Sequence, residues 1–230
     1  MRRDDPDVFQ LGPPADLPAP PEQVAAALGP LVTEARLGRI RSVIAARKRS
    51  VVPVLEGLTD PHNGSAVLRT ADALGLSAVH VVRGQHGFMA AHRVARGSHR
   101  WLDVIIHRSA GGCADALHRE GYEIFVAVPD GDLAPEQLAP RPRVALVFGN
   151  EHAGASEKMR EAADGTFRVP MVGFVESLNV SVAAAIAMYA ASRDRPADLS
   201  EGERLTLEAR FLMASVTDAE QIVREYLRRA

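Results

Sequence analysis

The chain contains a single cysteine, Cys113, among its 230 residues. One thiol excludes a disulfide framework and a cysteine-based zinc site. The sequence also has no apolar run close to the ~20 residues that a membrane-spanning helix needs. The first residues, MRRDDPD, are charged and lack the apolar region of a secretory signal. These absences predict a cytoplasmic protein that does not associate with membranes.

Several catalytic sequence motifs are absent as well. No G-x-G-x-x-G loop follows the first predicted strand, and neither a G-x-x-x-x-G-K-[ST] phosphate loop nor a G-x-S-x-G nucleophile elbow occurs. The eight histidines include no H-x-x-x-H pair, and none has a zinc-like spacing to the cysteine. Hydride transfer, phosphate transfer and zinc-dependent hydrolysis therefore have little support, and we expect no metal cofactor.

The net charge of -2 argues against a protein that coats DNA with a basic surface. RNA binding stays open, because a local basic segment lies near the N-terminus. The candidate RNA-binding side chains of this segment are Arg36, Arg39, Arg41 and Arg47. Leu37, Ile40 and Ile44 recur there at helical spacing, so one face could pack while the other presents arginines. An ordinary solvated helix face explains the charge alone equally well.

The order of predicted elements indicates an α/β fold. Residues 1–22 are rich in proline and are interpreted as a tail or extended strap, and residues 23–50 as a basic helical extension. From 51 to 195, apolar strand-like runs alternate with helix-like segments, which predicts an open, mostly parallel sheet with helices on both faces. Residues 196–230 form a second helical extension. Ligands bind such sheets at the carboxyl ends of the strands. Four loops are expected there, those after Leu58, Val128, Phe148 and Val169.

Three blocks carry the most specific signal in the sequence. They are PHNGSAVLRTADALG at 61–75, LVFGNEHAGAS at 146–156, and ESLNVSVAAAIAMY at 176–189, the last preceded by VPM at 169–171. In the third block, Ser177 and Asn179 begin an otherwise apolar helix, where unpaired polar groups would be costly. Together the blocks resemble the three motifs of the SPOUT class of RNA methyltransferases, and most of all its TrmH family of RNA ribose 2'-O-methyltransferases.

The resemblance implies a fold with a deep C-terminal trefoil knot and a homodimer whose active site lies at the subunit interface. It implies S-adenosyl-L-methionine as the methyl donor, without a metal. The donor-binding positions that it indicates are Val128, Gly149, Val169 and Leu178. Considered alone, Gly149 would merely allow a turn, and Val169 and Leu178 would be core residues.

The same resemblance implies a catalytic group and a set of RNA-binding residues. Arg69 would activate the ribose 2'-hydroxyl, and the accompanying catalytic positions are Asn63, Glu151, Ser177 and Asn179. Further RNA contacts would come from His62, Arg193 and Arg195. Six of these positions have a structural alternative. Arg69 could pair with Asp72, Asn63 and Asn179 could cap helices, Glu151 could be a surface residue, and Arg193 and Arg195 could compensate a helix C-terminus.

The choice of RNA follows from finer similarities. The VLEGLTDPHN opening and the GSHRW segment at 97–101 resemble family members that methylate guanosine 18 in the D-loop of tRNA. We therefore expect tRNA as the partner. Methylation of ribosomal RNA and a catalytically silent RNA-binding role remain the two alternatives, although the presence of Arg69, Glu151 and Asn179 disfavours the silent one.

Overall fold

The computed structural model describes residues 8–83 and 100–229. Within them the strands are β1 Val8–Leu11, β2 Val51–Glu56, β3 Ala78–Val82, β4 Asp103–His107, β5 Glu123–Ala127, β6 Val144–Phe148 and β7 Gly165–Phe167. The α-helices are α1 Pro21–Leu28, α2 Glu34–Ala45, α3 Pro61–Ala73, α4 Ala110–Arg119, α5 Glu157–Glu161, α6 Val180–Ser192, α7 Glu201–Ser215 and α8 Ala219–Arg229. No helix in the described ranges has the length and apolarity needed to cross a bilayer.

The seven described strands form one sheet in the order β1-β4-β3-β2-β6-β5-β7. All neighbours pair in parallel except β1, which lies antiparallel to β4. Strands β3 and β4 follow β2 in the chain and lie on one side of it in the sheet, whereas β5, β6 and β7 lie on its other side. The order thus reverses between β2 and β6, and such a switch point is where open α/β sheets bind ligands.

Both faces of the sheet are covered, as the apolar strands predict. Alternate residues of β2 show this directly, since Val51 and Leu55 pack in one core with α3 and α6, whereas Val52 and Val54 pack in a second core with α4 and α5. The prediction of an open, mostly parallel sheet with helices on both faces is confirmed.

The chain divides into two compact units. The first contains the sheet and comprises residues 8–11 with Lys48–Arg195, and the second comprises residues 12–47 with 196–229. In the second unit, α1 packs against α7 and α8, and α2 packs against α7. Both helical extensions of the sequence therefore contribute to one helical unit.

Residues 8–14 of the proline-rich segment make defined contacts. Residues 8–11 pair with β4 along the sheet edge, because VFQL is a short strand-forming sequence before the prolines begin. In the helical unit, Arg210 donates to the backbone carbonyls of Pro13 and Pro14 at 3.0 and 2.9 Å, so its buried guanidinium fixes the following residues. For residues 8–14 these contacts favour the strap over the tail.

Candidate active site

The loop after β6 is a closed turn built around Asn150. Its backbone pairs with Gly154 in both directions, and its Oδ1 accepts hydrogen bonds from the N–H groups of His152 and Ala153. Its Nδ2 donates to the carbonyl of Gly57 at 2.8 Å, which ties the β6 loop to the β2 loop. Asn150 therefore holds the switch point together. Asn150 has no role assigned from the sequence, although a polar residue after a buried strand and a glycine is a usable signal.

Gly149 is required by the backbone of this turn. A Cβ at this position would lie 2.1 Å from the backbone N of Ala155 and 2.2 Å from the carbonyl carbon of Gly154. The turn thus folds back onto the strand end so closely that only glycine fits. The interpretation of Gly149 as a turn residue is correct, and a position beside a bound donor is compatible with it.

Glu151 is the centre of a hydrogen-bond network that joins all three sequence blocks. Its Oε1 accepts from Nδ2 of Asn63 at 2.9 Å, and its Oε2 accepts from Oγ1 of Thr59 at 3.0 Å and from the Thr59 N–H at 3.3 Å. Asn63 in turn accepts at Oδ1 from Nδ2 of Asn179, at 3.0 Å. Residues far apart in sequence thus meet at the edge where β2 and β6 end.

The charge of Glu151 fixes the orientation of both asparagine amides. An ionised carboxylate only accepts hydrogen bonds, so Asn63 turns its NH₂ toward Glu151 and its oxygen toward Asn179. Asn179 must then present its NH₂ to Asn63, which leaves its oxygen for the N–H and hydroxyl of Ser181. Donors therefore all point in one direction along the chain of residues, toward Glu151.

The pKa of Glu151 lies below its ordinary value. Partial desolvation alone would raise it, but hydrogen bonds from the Asn63 amide, from backbone and from Thr59 stabilise the ionised form and outweigh that effect. The carboxylate is consequently ionised at neutral pH. It is a fixed negative charge rather than a proton donor.

Asn63 does not cap its helix, contrary to the capping alternative. Asp60 is the N-cap of α3 and accepts from the N–H of His62 at 2.8 Å, whereas Asn63 lies inside the first turn and is buried. Asn179 does cap α6, through Oδ1 and the N–H of Ser181. Both of its polar groups are used, one for the helix and one for the network.

A cavity of about 550 Å³ opens beside this network, between the ends of β5, β6 and β7 and the start of α6. Its wall includes seven of the residues that the sequence indicated: Val128, Gly149, Glu151, Val169, Ser177, Leu178 and Asn179. Val169 and Leu178 are only half-buried, so they are wall residues and not core. The volume lies within the range of small-molecule sites, and the lining combines apolar side chains with almost as much polar surface.

The β5 loop closes one end of this cavity. The N–H of Val128 donates to the carbonyl of Phe167 at 2.9 Å, and a Cβ on Gly131 would lie 2.3 Å from the carbonyl carbon of Phe167. β7 ends at Phe167, two residues before the predicted end of the strand, so Val169 lies in the loop rather than in the sheet. Gly131 is thus a second glycine that the backbone requires, and no sequence motif indicates it.

Arg69 lies on the exposed face of α3, two turns beyond His62, which is exposed as well. In the part of the chain that the structure describes, its guanidinium has no hydrogen bond or ion pair, so the Arg69–Asp72 alternative is not realised. Neither residue lines the cavity. Both remain accessible to a macromolecular ligand.

Three of the proposed RNA-binding arginines are engaged elsewhere. Arg47 is fully buried and lies over the ring of Phe211, and Arg41 binds the carboxylate of Glu208 with two guanidinium nitrogens at 2.9–3.2 Å. Arg195 donates to the backbone carbonyls of Ala191, Pro142 and Leu138. Arg47 is buried and inaccessible to RNA in this structure. The backbone contacts of Arg195 and the ion pair of Arg41 give these two guanidinium groups a structural role, and their contact with RNA stays a prediction.

The other three arginines stay at the surface. Arg36 and Arg39 are exposed on α2, where Arg36 reaches Oγ of Ser215 at 3.5 Å. Arg193 is exposed at the end of α6, donates to Asp194 at 2.9 Å and lies over the Tyr189 ring. Gly97, Ser98 and His99 of the GSHRW segment lie outside the described residues, whereas Arg100 and Trp101 lie within them.

Within the described ranges, the buried residues His80, His107 and Cys113 bring three potential metal-ligand atoms within 4.8 Å of one another. Nδ1 of His80 and Nε2 of His107 are 2.9 Å apart, which is a direct hydrogen bond. Two ligands of one tetrahedral zinc ion would be separated by about 3.3 Å. Burial, aided by the neighbouring His107, lowers the pKa of His80 to about 3, so His80 is neutral at pH 7. Packing and this hydrogen bond account for the cluster without a metal.

Comparison with known proteins extends these observations. Residues 50–189 match the model of the SpoU rRNA Methylase family. Over 164 residues the chain is 35% identical to a tRNA (guanosine(18)-2'-O)-methyltransferase of Thermus thermophilus, an alignment that covers 71% of this chain and 84% of the relative.

Two solved structures show the same architecture. The A. aeolicus TrmH/SpoU tRNA modifying enzyme has a TM-score of 0.69 and 27% identity, covering 80% of this chain and 98% of that one. The SpoU methyltransferase AviRb from Streptomyces viridochromogenes in complex with the cofactor AdoMet has a TM-score of 0.56 and 26% identity, covering 66% of this chain and 60% of that one. With its family-specific blocks gathered at one sheet edge, the chain belongs to the SpoU methylase family.

Proposed function

We propose that the protein transfers a methyl group from S-adenosyl-L-methionine to the ribose 2'-oxygen of guanosine 18 in the D-loop of tRNA. The observation that carries this proposal is the network of Asn63, Glu151 and Asn179 at the mouth of a cavity of ligand size. The relative from T. thermophilus, named for this reaction and matched over most of its length, supports the choice of RNA. A tRNA substrate also favours a cytoplasmic location.

The cavity has the properties that the methyl donor requires. Val128, Gly149, Val169 and Leu178 would hold it, chiefly through backbone groups of three strand-end loops and through apolar side chains. The bound donor supplies an electrophilic methyl group and needs no metal. Glu151 keeps the loop after β6 in one conformation, so the wall on that side does not have to reorganise.

Arg69 is the residue we assign to the ribose 2'-hydroxyl. A guanidinium group stays protonated in proteins and is a poor base by itself. It therefore acts by orienting the hydroxyl and by stabilising the negative charge that develops on oxygen, or through a substrate phosphate that accepts the proton. Alignment of oxygen and methyl supplies much of the rate enhancement. Asn63, on the same helix, links the position of Arg69 to Glu151.

A second copy of the chain would complete this site. Val182, Ile186 and Tyr189 lie on one face of α6 at helical spacing and are 41–53% exposed, and Phe174 in the preceding loop is fully exposed. A contiguous apolar surface of this kind is typical of an interface. We infer a homodimer that buries α6 and places the active site at the subunit boundary. Ile186→Glu should yield a monomer in light scattering, and an unchanged dimer would contradict this interface.

We also propose the deep trefoil knot for the C-terminal part of the sheet domain. After the edge strand β7, the chain returns to the centre of the sheet, where α6 packs on β2 and β6. The segment that returns and the loop after β6 line the same cavity. This path is consistent with threading of residues 168–179 through that loop.

For RNA contact we retain His62, Arg36, Arg39 and Arg193, because all four side chains are exposed. Their contribution to affinity should depend on salt, since phosphate contacts release counterions. Charge-removing variants of the α2 pair should weaken tRNA binding at low salt and leave donor binding unchanged. An equal affinity of Arg36→Ala/Arg39→Ala and wild type for tRNA at all salt concentrations would remove α2 from the interface.

The decisive experiment uses labelled S-adenosyl-L-methionine with three RNAs: an unmodified tRNA transcript, the same transcript with a 2'-deoxy guanosine at position 18, and a ribosomal RNA transcript. Label in the first transcript alone supports the proposal. Label in ribosomal RNA alone would retain the chemistry and favour the alternative that the family description names. Absence of label in all three, with retained RNA binding, would favour a silent RNA-binding protein.

A further inference from the structure

Thr59 lies in the loop after β2, outside the residues to which the sequence assigned catalysis. Its side chain and its backbone N–H both reach the same atom, Oε2 of Glu151, at 3.0 and 3.3 Å. The other carboxylate oxygen is held by Asn63 at 2.9 Å. The β2 loop and α3 thus hold Glu151 from two sides.

The hydroxyl of Thr59 is the stronger of its two contacts. The backbone contact of 3.3 Å is long for an N–H···O bond, whereas 3.0 Å lies within the range for a hydroxyl donor. Without the hydroxyl, Oε2 would keep only the long contact, and the carboxylate could rotate about its terminal torsion, which has a broad energy minimum. Asn63 would then be the main remaining restraint on Glu151.

We propose that Thr59 is a positioning residue for methyl transfer, because its hydroxyl orients the Glu151 carboxylate at the wall of the donor cavity. This inference rests on the function proposed above. Thr59 does not line the cavity itself, so we expect it to act through Glu151 rather than by contact with the donor. Its effect should therefore be on turnover rather than on the affinity for tRNA.

Several charged groups surround Glu151, and the test has to distinguish it from them. His152, Arg160, Arg168 and Glu176 line the same cavity, and Asp60 and His62 follow Thr59 at the start of α3. A substitution at Thr59 leaves all of these groups in place. If the acid limb of the rate profile shifts when the Thr59 hydroxyl is removed and does not shift when it is retained, the shift therefore reports on Glu151.

The experiment compares wild type with Thr59→Val, which removes the hydroxyl at nearly constant shape, and with Thr59→Ser, which retains it. We expect kcat of the valine variant to fall about fivefold, the factor that an ordinary hydrogen bond represents, with KM for tRNA unchanged. The acid limb of its rate profile should move to higher pH, because the ionised form of Glu151 loses a donor. The serine variant should follow wild type in both respects.

A second measurement does not depend on turnover. Since the pKa of Glu151 is lowered in the folded state, its contribution to stability is present above the unfolded pKa of ~4.3 and is lost on acidification. Thr59→Val should therefore lose unfolding free energy relative to wild type at pH 7, and this difference should shrink below pH 4.

The two measurements separate failure of the inference from failure of the proposed function. Rate profiles that coincide for wild type and Thr59→Val would overturn the inference, as would an equal loss in Thr59→Ser. If wild type methylates no RNA, the proposed function fails and the catalytic part of this inference with it. The pH dependence of unfolding then still decides whether Thr59 holds the Glu151 carboxylate.

Discussion

Nδ2 of Asn179 lies 3.0 Å from Oδ1 of Asn63, across 116 residues of sequence. This single hydrogen bond connects the third sequence block to the first and places the N-terminus of α6 against α3. Because Asn63 also donates to Glu151, the second block joins the same network. The three blocks therefore depend on one another physically, which explains why they occur together in one chain.

The two functions of Asn179 can be separated by mutation. Asn179→Asp keeps the oxygen that caps α6 and removes the NH₂ that binds Asn63, whereas Asn179→Ala removes both. We expect Asn179→Ala to lose about 1 kcal/mol more unfolding free energy than Asn179→Asp, because about 1 kcal/mol is the usual contribution of a helix cap. Both variants should lose methyl transfer. Urea unfolding together with a methylation assay checks this, and full activity of Asn179→Asp would contradict a role for the network.

Gly149 should tolerate no side chain. Its Cβ would lie 2.1 Å from backbone, so Gly149→Ala forces the turn after β6 to move and should cost about 3 kcal/mol or more. Gly111→Ala is the matched control, because nothing lies within 4 Å of its Cβ and the residue is inside α4. That control should gain about 0.5–1 kcal/mol. Equal melting temperatures for the two variants would show that the turn accommodates a side chain.

Arg69 should be important for activity and unimportant for stability. Its side chain is exposed and makes no hydrogen bond or ion pair within the described ranges, so Arg69→Ala should change the unfolding free energy by less than about 0.5 kcal/mol. Methylation should nevertheless fall by about a hundredfold or more, as for loss of a group that stabilises transition-state charge. Arg119→Ala, an exposed arginine on α4, serves as the control. Near wild-type turnover of folded Arg69→Ala would remove it from the mechanism.

The buried His80 should make the protein sensitive to acid. Burial lowers its folded pKa to about 3 from an unfolded value of ~6.5, so the unfolded state binds the extra proton in the interval between them. Stability should fall with decreasing pH through that window, by up to about 1.4 kcal/mol per pH unit for this group. His80→Leu should show a shallower dependence between pH 6 and 4. Parallel curves for the two proteins would exclude His80 as the cause.

The sequence predicted those parts of the molecule whose causes are local or are shared with a family. The alternation of apolar strand-like runs with helix-like segments predicted the sheet, and the family resemblance indicated seven of the residues that line the cavity. The donor roles of Val128, Gly149, Val169 and Leu178 stay predictions, as do the roles of the catalytic residues.

What the sequence did not predict depends on partners that are distant in the chain. Arg41 was expected at an RNA surface, yet its carboxylate partner Glu208 follows 167 residues later. Arg195 was interpreted from its place after a helix, whereas backbone carbonyls in the connection between β5 and β6 determine its role. Thr59 was overlooked because a threonine in a loop has no sequence signature until Glu151 is brought beside it.

The division of the helical unit between residues 12–47 and 196–229 has a consequence for how the protein is made. During translation, α1 and α2 leave the ribosome first but have to wait for α7 and α8, their packing partners, until about 150 further residues have been added. At 5–20 residues per second this interval lasts roughly 7–30 s. Throughout it Val24, Leu28, Ile40 and Ile44 are without that cover, so the nascent chain offers a hydrophobic segment to chaperones while the sheet is already being synthesised.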